Sequence, residues 1–94
     1  MENEPINKIQ EIHDKLEQLL EQRVKVRANM GRSRIVEREG VILQVHPALF
    51  VMEVDEKRGR KARHSYQFVD VLTGTVELYD LLTSEPYFEI VTEQ

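Results

Sequence analysis

The sequence predicts a single, mainly β domain preceded by one amphipathic helix, and three observations support this prediction. Short stretches of alternating apolar and polar residues recur between residues 23 and 79, separated by turns rich in Gly, Pro and Asn. An apolar repeat of three- and four-residue steps precedes them. The length of 94 residues allows one modest core, which buries roughly 60–65 % of the surface of the unfolded chain.

The helix is predicted over residues 3–22. Asn3 is suited to the N-cap, and Pro5 is tolerated in the first turn. Large aliphatic residues recur on one stripe of this helix, namely Ile6, Ile9, Ile12, Leu16, Leu19 and Leu20. Such a stripe must be buried, either over one end of the β domain or against a second copy of the helix in a homodimer.

The first strand, residues 23–29, has the clearest alternation in the chain. Its cations Arg23, Lys25 and Arg27 fall on one face, and its apolar residues fall on the other. Asn29-Met30-Gly31 follows as a turn, because Asn and Gly tolerate positive φ. The sequence therefore predicts a hairpin with cations on its outer face and tip.

The second strand, residues 34–46, changes phase along its length. After Gly40 the apolar residues share one face, namely Val41, Leu43 and Val45. Val36, before the glycine, has the opposite parity. We therefore expect a β-bulge or sharp bend at Gly40, with Ile42 pointing outward or into the helix.

Three further strands are predicted at residues 49–55, 61–68 and 75–79. Inward positions on the third and fifth strands are apolar, namely Phe50, Met52, Val54, Val76 and Leu78. Residues 69–72 are too few for a helix of their own and predict a single 3₁₀ turn. In the C-terminal extension, residues 81–94, the segment from Tyr87 to Val91 is a candidate extra strand.

These elements describe a five-stranded SH3-like small barrel at residues 23–80, with an N-terminal amphipathic helix and a single 3₁₀ turn before the last strand. The competing five-stranded barrel is the OB-fold. It usually has a helix between its third and fourth strands, where this chain has a short basic hairpin tip. The SH3-like arrangement is therefore favoured.

Composition excludes several classes of function. The chain has no Cys, which excludes disulfides, zinc–thiolate sites and cysteine nucleophiles. Its acidic, polar N-terminus is unlike a signal peptide, and no apolar run approaches the roughly 20 residues that span a bilayer. We expect a cytoplasmic protein without a membrane partner.

No catalytic or cofactor site is predicted either. The three histidines, His13, His46 and His64, are far apart in sequence, and no nucleotide-binding fingerprint is present. The pair Glu37 and Glu39 falls on one strand face next to Arg38, as in a solvated charge ladder. We expect a protein that is not an enzyme and that needs no metal or cofactor.

Charge is strongly segregated along the chain. Residues 1–22, 23–63 and 64–94 carry net charges of −4, +6 and −6, for a total of −4. Local potential matters more than the total, because charges are screened beyond roughly 8–10 Å. The central cations form the candidate binding site, namely Lys25, Arg27, Arg32, Arg34 and Arg38 of the first hairpin and Lys57, Arg58, Arg60, Lys61 and Arg63 of the second tip.

The run from Arg23 to Leu78 resembles the Veg family, small proteins of low-GC Gram-positive bacteria. The resemblance is carried by RVKVRANMGR, REG, HPALFVMEV and, above all, SYQFVDVLTGTVEL from Ser65 to Leu78. It implies a helix before an SH3-like barrel and a link to biofilm formation through gene regulation rather than enzymology. Both ends of the chain are longer than in the short form of the family.

Two functional hypotheses follow. In the first, the cations contact nucleic-acid phosphates or a regulatory protein in transcription regulation. In the second, the chain is a protein–protein adaptor or homodimer that binds no nucleic acid, using the basic face for an acidic partner or the helix stripe for a partner helix. The acidic end segments can also cover the basic face, or pair with it between two subunits.

Overall fold

Five antiparallel strands form one sheet behind an N-terminal helix. The computed structural model describes residues 5–31 and 33–88, with side chains from Lys8 onward. The elements are α1 (Pro5–Gln18), β1 (Arg23–Asn29), β2 (Ile35–Val45), β3 (Leu49–Asp55), a 3₁₀ turn (Lys57–Gly59), β4 (Lys61–Gln67), α2 (Phe68–Leu72) and β5 (Val76–Tyr79). The strand order is β4-β3-β2-β1-β5, and β4 does not pair with β5. The mainly β fold is confirmed, and the predicted barrel is left open.

The N-terminal helix is shorter than predicted. The predicted cap at Asn3 lies outside the described residues, and α1 ends at Gln18 instead of residue 22. Glu21 has a φ of 66°, and its N–H donates to the Ile42 carbonyl at 2.7 Å. The chain leaves the helix early because this segment turns to join the sheet. No helix among the described residues is long and apolar enough to span a membrane.

The helix stripe is buried against the chain's own sheet. Ile12, Leu16 and Leu19 belong to the same core as buried residues of β1, β2, β3 and β5, and Tyr66 of β4 packs against this core. Leu20 is exposed. Burial of a large aliphatic side chain contributes about 1.5–3 kcal/mol, so packing of this kind is what holds α1 in place. These three side chains are therefore buried within one chain and do not form an exposed surface for a partner helix.

After Gly40, the core side of β2 is that of Ile42 and not that of Val41 and Leu43, in agreement with the second orientation predicted for Ile42, into the helix. Ile42 is fully buried, and Val41 and Leu43 are half-buried on the opposite face. The irregularity in pairing with β3 falls between Ile42 and Gln44, beyond the glycine. A Cβ on Gly40 would lie 2.3 Å from the Glu53 carbonyl oxygen. The glycine is required for close approach of two strands, rather than for a bulge.

The segment before β5 is a short α-helix, so the predicted 3₁₀ turn there is wrong. The Thr73 N–H donates to the Val69 carbonyl, four residues back, at 3.0 Å. This α-turn buries both Phe68 and Val71 against the core, with the Phe68 ring 6.3 Å from that of Phe50. The 3₁₀ turn of the structure lies at the β3–β4 connection instead.

The chain folds back along β5 after Tyr79. Asp80 accepts hydrogen bonds from the backbone N–H groups of Thr83 and Leu82 and from the Tyr87 hydroxyl, which lower the pKa of its carboxyl. The Tyr87 N–H then donates to the Leu78 carbonyl at 2.9 Å. The predicted strand from Tyr87 to Val91 lies largely outside the described residues, and its first two residues form a bend.

Candidate functional site

The structure does not place the predicted cations on one face. Arg32 lies outside the described residues, and the others fall on different surfaces. Lys25 and Arg27 lie on the outer face of β1, whereas Arg38 lies on the inner face of β2. Arg34 lies in the first hairpin turn. The second group occupies the 3₁₀ turn and the start of β4, namely Lys57, Arg58, Arg60, Lys61 and Arg63.

The outer face of β1 is an alternating charge ladder, because its neighbouring strands carry acids. Lys25 is opposite Glu39, and Arg27 is opposite Glu37 and, on β5, Glu77. The Arg27 guanidinium lies 3.7 Å from a Glu37 oxygen and 4.0 Å from a Glu77 oxygen. The Lys25 ammonium also lies 3.9 Å from Glu37. These cations are largely neutralised by the sheet itself.

Asp55 joins this ladder to the second hairpin. Its carboxylate accepts hydrogen bonds from Lys61, at 2.8 Å, and from Arg23. These two donors hold the pKa of the Asp55 carboxyl below its ordinary value, with Lys61 the larger cause. Lys61 is thereby engaged with an acid of its own hairpin and is not free for a partner.

The β3–β4 connection presents a compact group of exposed cations, which we call the cationic tip: Lys57, Arg58 and Arg60. Arg58 adopts a left-handed conformation with a φ of 64°, and Gly59 follows at 73°, so the backbone turns sharply. No ion pair joins any of the three to an acid among residues 8–31 and 33–88. Their positive charge faces solvent.

A groove of about 680 Å³ separates the cationic tip from the start of β2. Val36, Glu37 and Arg38 line one side, and the residues from Asp55 to the cationic tip line the other. Both hairpin turns lie at the same end of the sheet, because β2 begins at the first turn and β3 ends at the second. The groove therefore brings Arg38 together with the cationic tip, but not Lys25 or Arg27.

Polar side chains meet at the inner end of this groove. The Glu56 carboxylate lies 3.1 Å from His64 Nε2 and 4.0 Å from Arg38 Nη1. The His64 ring stacks on Tyr66 at 6.3 Å, and burial raises the pKa of the Tyr66 hydroxyl. The contacts of Glu56 with His64 and Arg38 were not predicted from the sequence. The inward position of Arg38 could have been found, since it shares the parity of Val36 on the same strand.

One further cluster of potential metal ligands lies on α1. His13, Asp14 and Glu17 have ligand atoms within 4.8 Å of one another. The His13 ring packs edge-on against Phe68 at 6.0 Å, and Asp14 accepts a hydrogen bond from Gln10. Helical spacing and core packing thus account for this arrangement without a ligand.

Comparison with known proteins identifies one family. A search of curated proteins found no match to the chain. The model of a family described as biofilm formation stimulator VEG matches residues 7–79, which include most of α1, all five strands and both sides of the groove. Because the match covers well over half of the 94 residues, the chain belongs to the VEG family of biofilm formation stimulators.

Proposed function

We propose that this chain is a non-catalytic binding module that takes part in biofilm-related regulation, with an anionic partner bound at the cationic tip. The family description supports the link to biofilm formation. The observation that carries the binding role is the exposure of Lys57, Arg58 and Arg60 without an ion-pair partner among the described residues.

Local electrostatics favour an anion at this place despite the overall charge of −4. The nearest acids already lie beside bases: Asp55 is paired with Lys61, and the Glu56 carboxylate is 4.0 Å from the Arg38 guanidinium. More distant acids act weakly, because charges beyond a Debye length of roughly 8–10 Å are screened. The cationic tip therefore keeps a positive potential that attracts an anionic partner.

An acidic protein segment is the favoured partner. Proteins that bind duplex DNA tightly often make about 6–10 phosphate contacts, whereas the cationic tip offers three cations and the ladder on β1 is neutralised. An aromatic platform for stacking bases is also weak among the described strands. The outward ring of Tyr79 is covered by the Lys25 ammonium at 5.9 Å, and its hydroxyl donates to Glu77.

Nucleic acid is the second candidate, since the cationic tip is exposed and phosphate contacts need little shape complementarity. A single experiment compares both. The full chain is titrated with fluorescent poly-glutamate and with duplex DNA across a salt series, by fluorescence anisotropy. The double variant Arg58→Ala plus Arg60→Ala is compared with Lys25→Ala plus Arg27→Ala, which removes the same charge from the ladder.

We expect the tip variant to lose about tenfold or more in affinity for poly-glutamate at low salt, and the ladder variant to lose much less. If DNA is the partner instead, the tip variant reduces the slope of log affinity against log salt by about 2. Failure of the wild-type chain to bind either polyanion at low salt would refute the proposal. An equal loss in both variants would refute the assignment to the cationic tip.

A further inference from the structure

The wall of the groove opposite the cationic tip contains a free strand edge. Residues 35–39 of β2 pair with β1, but pairing with β3 begins only at Gly40, opposite Val54. After Asp55 the chain enters the 3₁₀ turn instead of continuing beside β2. Because Gly40 is opposite Val54, Glu39 is opposite Asp55, the last residue of β3. Within the described chain, residues 35–38 of β2 therefore have a strand neighbour on one side only.

The peptide groups on this edge point into the groove. The Met30 N–H donates to the Arg34 carbonyl at 2.7 Å, at the end of the β1–β2 ladder. Bonded and non-bonded residues alternate in an antiparallel ladder, so Val36 and Arg38 are the residues that bond to β1. The N–H and C=O groups of Ile35 and Glu37 consequently face away from β1, where a further strand would pair with them.

The charges around this edge suit an acidic strand. The Glu37 side chain projects to the outer face, where it pairs with Lys25 and Arg27, so its carboxylate does not line the hydrogen-bonding edge. Exposed Arg34 lies at one end of the edge, and the cationic tip faces residues 36–38 across the groove. A strand that pairs with residues 35–38 would therefore lie between the edge and the cationic tip.

We propose that an extended acidic segment of a partner protein adds as a strand to residues 35–38 of β2, with its carboxylates held by the cationic tip. This inference rests on the proposed function and specifies its binding mode. The main-chain groups of Ile35 and Glu37 provide affinity and register, and Lys57, Arg58 and Arg60 select for acidic side chains.

The test compares two substitutions at one residue. Glu37→Pro removes the N–H that faces the groove and leaves the bonds of Val36 and Arg38 to β1 in place. Glu37→Ala removes the same carboxylate and keeps the N–H. The probe is an end-blocked decapeptide of alternating threonine and glutamate. We expect Glu37→Pro to weaken its binding about tenfold relative to Glu37→Ala.

A second probe separates this inference from the proposed function. Inorganic polyphosphate is an anionic chain without N–H groups, so it can bind the cationic tip but cannot add as a strand. We expect Glu37→Pro and Glu37→Ala to bind polyphosphate equally, and Arg58→Ala plus Arg60→Ala to bind it more weakly than the wild-type chain. If Glu37→Pro and Glu37→Ala bind the peptide equally while polyphosphate still depends on the tip, strand addition is overturned and the proposed function stands.

Two measurements on the wild-type chain keep the test decisive if Glu37→Pro does not fold. Methylating alternate peptide nitrogens of the decapeptide should weaken binding about tenfold in one of the two alternations and little in the other. Amide hydrogen exchange of Ile35 and Glu37 should slow when the peptide binds. Equal binding by both methylated peptides, or unchanged exchange, would overturn strand addition. A dimer of the chain that the peptide does not dissociate would assign the edge to a second copy instead.

Discussion

Replacing Gly40 with alanine tests how closely β2 approaches β3 where their pairing begins. A Cβ at this position would lie 2.3 Å from the Glu53 carbonyl oxygen and 2.8 Å from the Val54 Cα. Ordinary contacts of a Cβ begin near 3.4 Å, so the two strands must separate by roughly 1 Å. Both opposing atoms belong to the backbone, and no rotamer change can relieve the contact.

The sign of the stability change shows whether the two strands are in close contact at Gly40. In a strand interior without such a contact, alanine is favoured over glycine by about 0.5–1 kcal/mol. Overpacking in a close-packed region instead costs about 1–3 kcal/mol, from a total stability on the order of 5–14 kcal/mol for a domain of this size. We therefore expect Gly40→Ala to lower the free energy of unfolding by about 1–3 kcal/mol, which lowers Tm by roughly 4–8 °C per kcal/mol.

Urea and thermal denaturation followed by circular dichroism measure this change, with the urea m-value confirming that the compactness of the native state is retained. A variant that is as stable as the wild-type chain, or more stable, would show that β2 and β3 are not in close approach at Gly40.

Three further predictions use the same denaturation assays. Leu16→Ala should lower the free energy of unfolding by about 2–5 kcal/mol, because Leu16 is fully buried. Leu20→Ala, at an exposed position, should lower it by less than about 1 kcal/mol. Equal losses in the two variants would contradict the packing of α1 on the sheet. Ile42→Asp should abolish cooperative unfolding and Leu43→Asp should not, and the opposite result would restore the predicted phase of β2. Asp55→Asn should be less stable than the wild-type chain at pH 7, because the native pKa of Asp55 is depressed. The stability difference between the two proteins should shrink as pH falls below the pKa of Asp55 in the unfolded chain, about 3.9, and through its lower pKa in the native chain. A difference that does not change with pH would show that Lys61 and Arg23 do not stabilise the ionised form of Asp55.

Several features were predictable from the sequence because they depend on short-range periodicity. The alternation in residues 23–29 predicted β1 and the burial of its apolar face, and the same reasoning identified Phe50, Met52 and Val54 as inward. The helical stripe predicted α1, and the family resemblance agrees with the match over residues 7–79. In each case the residues that make the pattern are the residues that are buried.

Only the tertiary structure could show whether the helix stripe packs on the chain's own sheet or on a second copy of the helix. Apolar residues at helical spacing predict that one face of the helix is buried, but they do not identify the element that packs against it. The structure covers Ile12, Leu16 and Leu19 with the chain's own sheet. For the same reason the sequence left two orientations open for Ile42, outward or into the helix, and the structure shows the second. The bulge predicted at Gly40 was wrong because the close approach of β3, which calls for the glycine, depends on strand pairing.

The cations show most clearly what could not be predicted from the sequence alone. By itself, the sequence determined that eleven bases lie between residues 23 and 63, and that Lys25 and Arg27 share a strand face. Only strand pairing decided that acids of β2 and β5 lie opposite those two residues, whereas the β3–β4 turn leaves the cationic tip exposed beside a free strand edge. Electrostatic interaction depends on distance in space, and register sets that distance between residues remote in sequence.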